Sequence, residues 1–248
     1  MKNLKRAISF ELCGKFAQFK KFYTNSSSLT YLIPARTNII GMLASIMKMP
    51  RDSYYKTFSE EEFGIAVKIS TGCKIRKQIQ TMNYLQSPGS SKQHSQCKLE
   101  MLFPETLGDL ISYKIYVGAF SDDSLKVLNE LSEKLSSGDF GYGIYLGQRQ
   151  FGGDISNLKI FEENELVFME ESNSLDSASI LENANINLDI DTGIVTDQMP
   201  TNMEEDPGKN KGRKLGTIKR IVYEKTGKTL HGNFKNCWQI GTETISFL

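Results

Sequence analysis

The sequence predicts an α+β fold, on three observations. Apolar residues alternate with a period of two at Ile8, Phe10, Leu12 and again at Tyr113, Ile115, Val117, the signature of half-buried strands. Apolar stripes at helical spacing follow each of them, at Ile39, Met42, Leu43, Ile46 and at Leu125, Leu128, Leu131, Leu135. Beyond residue 154 no long helical stripe returns, and the apolar runs become short and strand-like.

In chain order, the first strand ends at Gly14. Lys15 to Tyr23 then interleaves aromatics with lysines, and Thr24 to Ser28 is an uncharged loop. Tyr31 to Ala35 is extended, because Pro34 keeps Ile33 out of the helical region, and Thr37 or Asn38 can cap the first helix. Phe63, Ile65, Val67 and Ile69 form a strand, Lys74 to Leu85 a more polar one and Leu99 to Phe103 another, ahead of the strand at Tyr113. Ser121-Asp122-Asp123 caps the second helix with acids in its first turn, and Gly138 stands where it stops. This order fits a β-α-β-β-α-β ferredoxin-like sheet with an inserted hairpin over residues 1–153. Residues 154–248 are expected to form a smaller β-rich domain with strands at Leu158–Phe161, Leu166–Met169, Leu215–Tyr223 and Trp238–Phe247, and an acidic variable loop at about 172–207. The stretch Ser172 to Arg213 is poor in aromatics, which suggests a mobile loop over part of it.

The 248 residues are 39% hydrophobic and 24% charged, which excludes disordered, collagen-like and coiled-coil classes. Cys13, Cys73, Cys97 and Cys237 share no CxxC spacing and there are two histidines, so no zinc set, metal or other cofactor is expected, and the thiols are expected reduced in a cytoplasmic protein. Lys2, Lys5, Arg6 and Glu11 interrupt any leader-peptide core, and the longest uncharged, mainly apolar run is Thr37 to Met47, too short for a membrane span. The net charge of +1 conceals an asymmetry: +8 over residues 1–56, −1 over 57–153, −13 over 154–207 and +7 over 208–248. Basic ends can build a face that neutralises phosphates, and the acidic segment 172–206 is expected to stay clear of it.

Familiar enzyme motifs fail. Thr226-Gly227-Lys228-Thr229 ends like a phosphate loop, but Val222 stands where the first glycine is required. Gly141-Tyr142-Gly143-Ile144-Tyr145-Leu146-Gly147 misses the dinucleotide spacing by one position and follows a helix instead of a strand. His94 and His231 lie among polar neighbours, and the acids beyond 154 single out no carboxylate pair.

The run Ser9 to Lys21, followed by Leu29 to Leu43, resembles the amino-terminal signature of the Cas-five family, the CRISPR-associated subunits that hold the 5′ end of the guide RNA in type I Cascade. Pro88 to Val117, Tyr142 to Gln148, Gln198-Met199-Pro200, Gly212-Arg213 and Ile221-Val222-Tyr223 are similar to further stretches of that family, most closely its type I-B form. The resemblance implies an RRM-related, RAMP-type ferredoxin-like domain with a second, degenerate β-rich domain. It also implies binding of the repeat-derived 5′ handle of CRISPR RNA, contacts with the large and backbone subunits of Cascade, target DNA met through the assembled complex, and a role in antiviral defence. One branch of the family, type I-C, instead cleaves precursor RNA with a tyrosine, an adjacent lysine and histidine. Here Tyr54 or Tyr55, Lys92 and His94 correspond, but Gln93 separates the last two, so a non-catalytic role is expected and a metal-independent endoribonuclease is the alternative.

The expected RNA-binding residues are Lys15, Phe16, Phe19, Lys20, Lys21, Tyr31, Arg36, Thr37, Asn38, Lys74, Arg76, Lys77, Tyr142, Tyr145 and Gln148. Phe16, Phe19 and Phe22 recur every three residues, a spacing that suits core packing as well as base stacking. Lys15, Lys20 and Lys21 flank them as phosphate ligands. Arg36 precedes a helix amino terminus and suits a phosphate, or equally a carboxylate. Lys74, Arg76 and Lys77 read as an RNA-facing hairpin or as a charged, solvated edge strand. Tyr142 and Tyr145 can stack on an extruded base, and Tyr145 can equally pack in the core.

Overall fold

The computed structural model describes residues 3–24, 27–85, 94–188, 193–206 and 212–248. The first part of the chain contains β1 (Arg6–Gly14), β2 (Phe19–Lys20), β3 (Ser27–Ser28), β4 (Thr30–Tyr31), α1 (Arg36–Ile46), β5 (Phe63–Ile69), β6 (Ile75–Leu85), β7 (His94–Pro104), β8 (Ile111–Ala119), α2 (Asp122–Ser137) and β9 (Asp154–Glu162). Four strands form one sheet in the order β5-β8-β1-β9, every neighbouring pair antiparallel. With α1 and α2 as crossovers, this is the ferredoxin-like β-α-β-β-α-β arrangement.

Strand β9 contains the run Leu158–Phe161 that the sequence pattern groups with the carboxy-terminal region. It instead lies along β1, from Arg6 opposite Glu162 to Cys13 opposite Asp154, and completes the first sheet. None of its residues is buried, so it lacks the apolar alternation of its partners. In β5, by contrast, all seven residues are buried.

Both helices form where expected, with one correction. α2 begins at Ser121, whose hydroxyl accepts from the Ser124 N–H at 3.0 Å, and ends at Gly138 with φ +75°. α1 is capped by neither Thr37 nor Asn38: Ala35 is its N-cap, and the Asn38 side chain accepts from the Ala35 N–H at 3.1 Å. Asn38 thus acts from inside the first turn, reaching back to the chain that enters the helix.

Strands β6 and β7 are the inserted hairpin, paired from Ile75 opposite Pro104 to Leu85 opposite His94. Their base rests on the basic-aromatic loop, because Ala17 bridges Leu102 and β3 runs parallel to Lys98–Leu99.

The rest of the chain is β10 (Leu166–Leu175), β11 (Ser179–Ile180), β12 (Ala184–Ile186), β13 (Ile194–Pro200), β14 (Met203–Asp206), β15 (Gly212–Leu215), β16 (Ile218–Glu224), β17 (Leu230–Ile240) and β18 (Glu243–Ser246). Strand β17 pairs with β10, β12 and β18; β16 lies between β11 and β13; and β14 and β15 form a hairpin. The stretch Ser172 to Arg213, read as loop-rich, therefore contributes four short strands and the ends of two others, with 189–192 and 207–211 outside the described residues. These strands are short and half-exposed, and offer little apolar periodicity in the sequence.

The main core is continuous from the helices through the first sheet to Ala178, Met199, Ile221 and Tyr223. Ile8 faces that core. Its neighbour Ala7 faces the opposite side, with Ala66, Tyr116, Trp238 and Ile245. Both faces of the sheet are therefore covered, which keeps the loops at its ends in fixed positions. Among the described residues no helix is long and apolar enough to cross a membrane.

Candidate nucleic-acid interface

The basic-aromatic loop is held from beneath by Gln18, a buried residue not singled out in the sequence. Its backbone N–H donates to the Leu146 carbonyl at 3.0 Å, its side-chain amide donates to the Ser28 hydroxyl at 2.9 Å, and its side-chain oxygen accepts from the Gln148 amide. The Gly141–Gln148 turn lies directly on this loop. Gly147 has φ +94°, and a Cβ there would stand 1.8 Å from the Gln18 carbonyl oxygen, so only glycine permits the contact. The Lys21 N–H donates to the Leu29 carbonyl at 2.9 Å, and β2 and β4 close the loop.

Three expected contact residues are interior. Phe19 is 1% exposed and packs edge-on against Tyr113, with ring centroids 5.7 Å apart. Tyr31 is equally buried, and its hydroxyl donates to the Gln198 carbonyl at 2.5 Å. Arg36 is buried as well, and its guanidinium donates to the carbonyls of Thr201, Phe58 and Phe63, each at 3.0 Å. Burial pulls its pKa down to about 10, against the opposing charge of Glu60, so it remains a cation at neutral pH. Arg36 ties α1 to two later segments of chain, and sequence adjacency to a helix start did not reveal those carbonyls.

Lys21 is also engaged. Its ammonium lies 2.5 Å from Asp197, with the two side chains 14% and 9% exposed. Burial opposes its charged form, but the bond to Asp197 outweighs that and raises its pKa. The acidic segment thus reaches the basic loop, contrary to its expected separation, where Asp197 meets Lys21 and the adjacent Gln198 carbonyl meets the Tyr31 hydroxyl.

Apart from the exposed Tyr142, the remaining candidates fall into three places. Lys15 and Phe16 line a depression with Leu110 and Phe151, and Phe16, 39% exposed, packs edge-on against Phe103. On the hairpin, Lys74 and Arg76 pair with Glu105, while Lys77 donates to the Thr30 carbonyl at 2.9 Å and approaches Glu100 at 3.6 Å. Tyr142 is 63% exposed, and the Tyr145 hydroxyl donates to its carbonyl at 2.9 Å.

The third place is a groove. One depression of about 430 Å³ is lined by Lys20, Lys21, Thr37, Asn38 and Gln148, and an adjoining one of about 240 Å³ by Thr37, Asn38 and Tyr145. Tyr54, Gly147 and Arg213 line both. The groove thus gathers the lysine loop, the start of α1, the glycine turn and the β14–β15 hairpin, and no carboxylate lies among its described lining residues. Lys20 and Arg213 supply exposed cations, Asn38 and Gln148 supply amides, and Tyr54 an aromatic ring. Arg213 was visible in the sequence only as part of the carboxy-terminal resemblance, and Tyr54 and Tyr55 only as members of a cleavage set. The Tyr55 hydroxyl donates to Asp52, and burial and that carboxylate push its pKa up. Of that set, Lys92 lies outside the described residues.

The failed phosphate loop has a physical explanation. The backbone N–H groups of Thr226 and Lys228 and the Thr226 hydroxyl all donate to one Glu224 oxygen, at 2.6, 2.8 and 2.8 Å, and the Gly193 N–H donates to the other at 3.0 Å. An internal carboxylate fills the anion position. Among the described residues, no group of three or more His, Cys, Asp or Glu side chains could hold a metal ion.

This sheet order and the groove at its end define a ferredoxin-like α+β protein. No protein-family model and no curated protein matches the sequence. Among solved structures the chain is similar to a CRISPR protein from Archaeoglobus fulgidus, at a TM-score of 0.56 and 10% identity, with 96% of this chain and 98% of that chain covered. A chain of a CRISPR RNA-guided surveillance complex gives a TM-score of 0.49 and 12% identity over 92% of this chain and 91% of that one. A chain of a type III-B Cmr-beta complex bound to cognate target RNA gives 0.42 and 12% over 92% and 86%. The first of these shows a shared fold.

Proposed function

We propose that this chain is a non-catalytic RNA-binding subunit of a type I CRISPR Cascade complex, holding the 5′ handle of the CRISPR RNA and capping one end of the assembly. The observation that carries this reading is the groove, where exposed cations, amides and an aromatic ring converge and no described lining residue is an acid. Phosphates would lie against Lys20, Arg213 and the start of α1, where helix geometry leaves N–H groups without intrahelical partners. An unstacked base would meet Tyr54 or Tyr145. The sequence resemblance and the shared fold support the same reading. In it the large and backbone subunits of Cascade are the protein partners, and target DNA is met only through the assembled complex.

The cleaving alternative needs a base to activate a 2′-hydroxyl and an acid for the leaving oxygen. Tyr55, bonded to Asp52 with its pKa raised, is held in its neutral form and makes a poor base. The test is a binding and single-turnover assay on labelled repeat RNA with protein in excess. Saturable binding without cleavage is expected. Specific cleavage at the base of the repeat hairpin would establish the endoribonuclease instead.

A further inference from the structure

We propose that Asp197, an acid, is a positioning residue for the groove: it fixes the two flanks of the basic loop, at Lys21 and at Tyr31, so that Lys20 stands at the groove wall. The inference rests on the binding reading above and adds a role for the acidic half of the chain.

Two consecutive residues of β13 hold both sides of the loop. Asp197 pairs with Lys21, just after β2, and the Gln198 carbonyl accepts from the Tyr31 hydroxyl on β4, both at 2.5 Å. The second oxygen of Asp197 accepts from the Tyr223 hydroxyl at 2.9 Å, and Tyr223 is buried on β16. The carboxylate is therefore fixed from one side and grips the loop from the other. The Lys21 ammonium also lies 5.3 Å from the Tyr31 ring centre, which couples the two attachments. Lys20, the preceding residue, pairs with Thr30, and its exposed side chain lines the groove. In this arrangement Lys21 is a strut, and Lys20 is the cation free to meet a polyanion.

The consequence runs against simple electrostatics. Removing an acid beside a polyanion site ordinarily tightens binding, through a more favourable field. Here Asp197→Leu leaves the largely covered Lys21 ammonium without its ion-pair partner, and the loop loosens.

The test is a double-mutant cycle in the full chain with Asp197→Leu, Lys21→Met and both together, read by repeat-RNA affinity, its salt dependence and hydrogen exchange of the Lys21 and Tyr31 amides. Each single variant is expected to weaken binding roughly tenfold and speed exchange in the loop, while the double variant, which removes the unpaired charge but still leaves the Tyr223 hydroxyl without its acceptor, recovers part of both. Its salt slope is expected to equal that of the unaltered protein, because no phosphate ligand has been lost. Tighter binding by Asp197→Leu, or a double variant as weak as Lys21→Met with a shallower slope, would overturn the proposal and make Lys21 a phosphate ligand. The exchange readout needs no RNA: unaltered loop exchange in Asp197→Leu refutes the positioning role itself, whereas an unaltered protein that fails to bind repeat RNA refutes the binding reading.

Discussion

Gly147 lies against the backbone carbonyl of Gln18 so closely that a Cβ would stand 1.8 Å from its oxygen. This contact sets the distance between the glycine turn and the basic loop, and so the width of the groove. Because φ is also +94°, Gly147→Ala combines backbone strain with a backbone clash and is expected to cost roughly 3 kcal/mol or more. The shift in urea midpoint measures it. A cost within about 0.5 kcal/mol, the range of ordinary surface substitutions, would mean that the turn does not sit on the loop.

Arg36 separates a structural cation from a ligand. Arg36→Met leaves three buried carbonyls without their donor and is expected to cost about 3 kcal/mol. Arg36→Lys should retain part of this stability and leave the salt dependence of RNA binding unaltered. A fall in that slope in a folded Arg36→Lys protein would return Arg36 to the RNA site.

Glu243 links the first sheet to β18 by bonding Lys68 at 2.8 Å, Lys114 and the Tyr116 hydroxyl. Burial alone would raise its pKa, but these partners prevail and hold it at about 2. A depressed carboxylate contributes stability that is fully present above its unfolded pKa of about 4.3 and is lost as pH falls toward the folded value. Glu243→Gln is therefore expected to lower stability by about 3 kcal/mol at pH 7, with the difference from the unaltered protein shrinking between about pH 4.5 and pH 2. Denaturant titrations across that range check it, and a difference that does not change with pH would contradict the assignment.

Much of this fold was legible because local signals agreed with the global arrangement. Ile8, Phe10 and Leu12 alternate as a strand with one face on the main core, and Ser121 and Gly138 bound a helix whose ends are set by their own side chain and backbone. Strand β9 was misplaced because an exposed edge strand carries no burial pattern. The site was legible in part. Lys20, Thr37, Asn38, Tyr145 and Gln148 line one candidate groove, whereas the burial of Phe19, Tyr31 and Arg36 was not legible, because a residue's neighbours in sequence do not reveal which distant segment covers it. Thr201, Gln198 and Asp197, which engage Arg36, Tyr31 and Lys21, all lie more than 160 positions later in the chain.

The central claim is that the groove walled by Lys20 and Arg213 binds RNA, and its most direct measurement is the salt dependence of repeat-RNA affinity for the unaltered protein and for Lys20→Ala combined with Arg213→Ala. Each lost phosphate contact with a single strand should reduce the slope of log affinity against log salt by about 0.7, so the double variant is expected to bind more weakly with a slope smaller by about 1.4. An unaltered affinity and slope in a folded double variant would contradict the account and place any RNA elsewhere on the molecule.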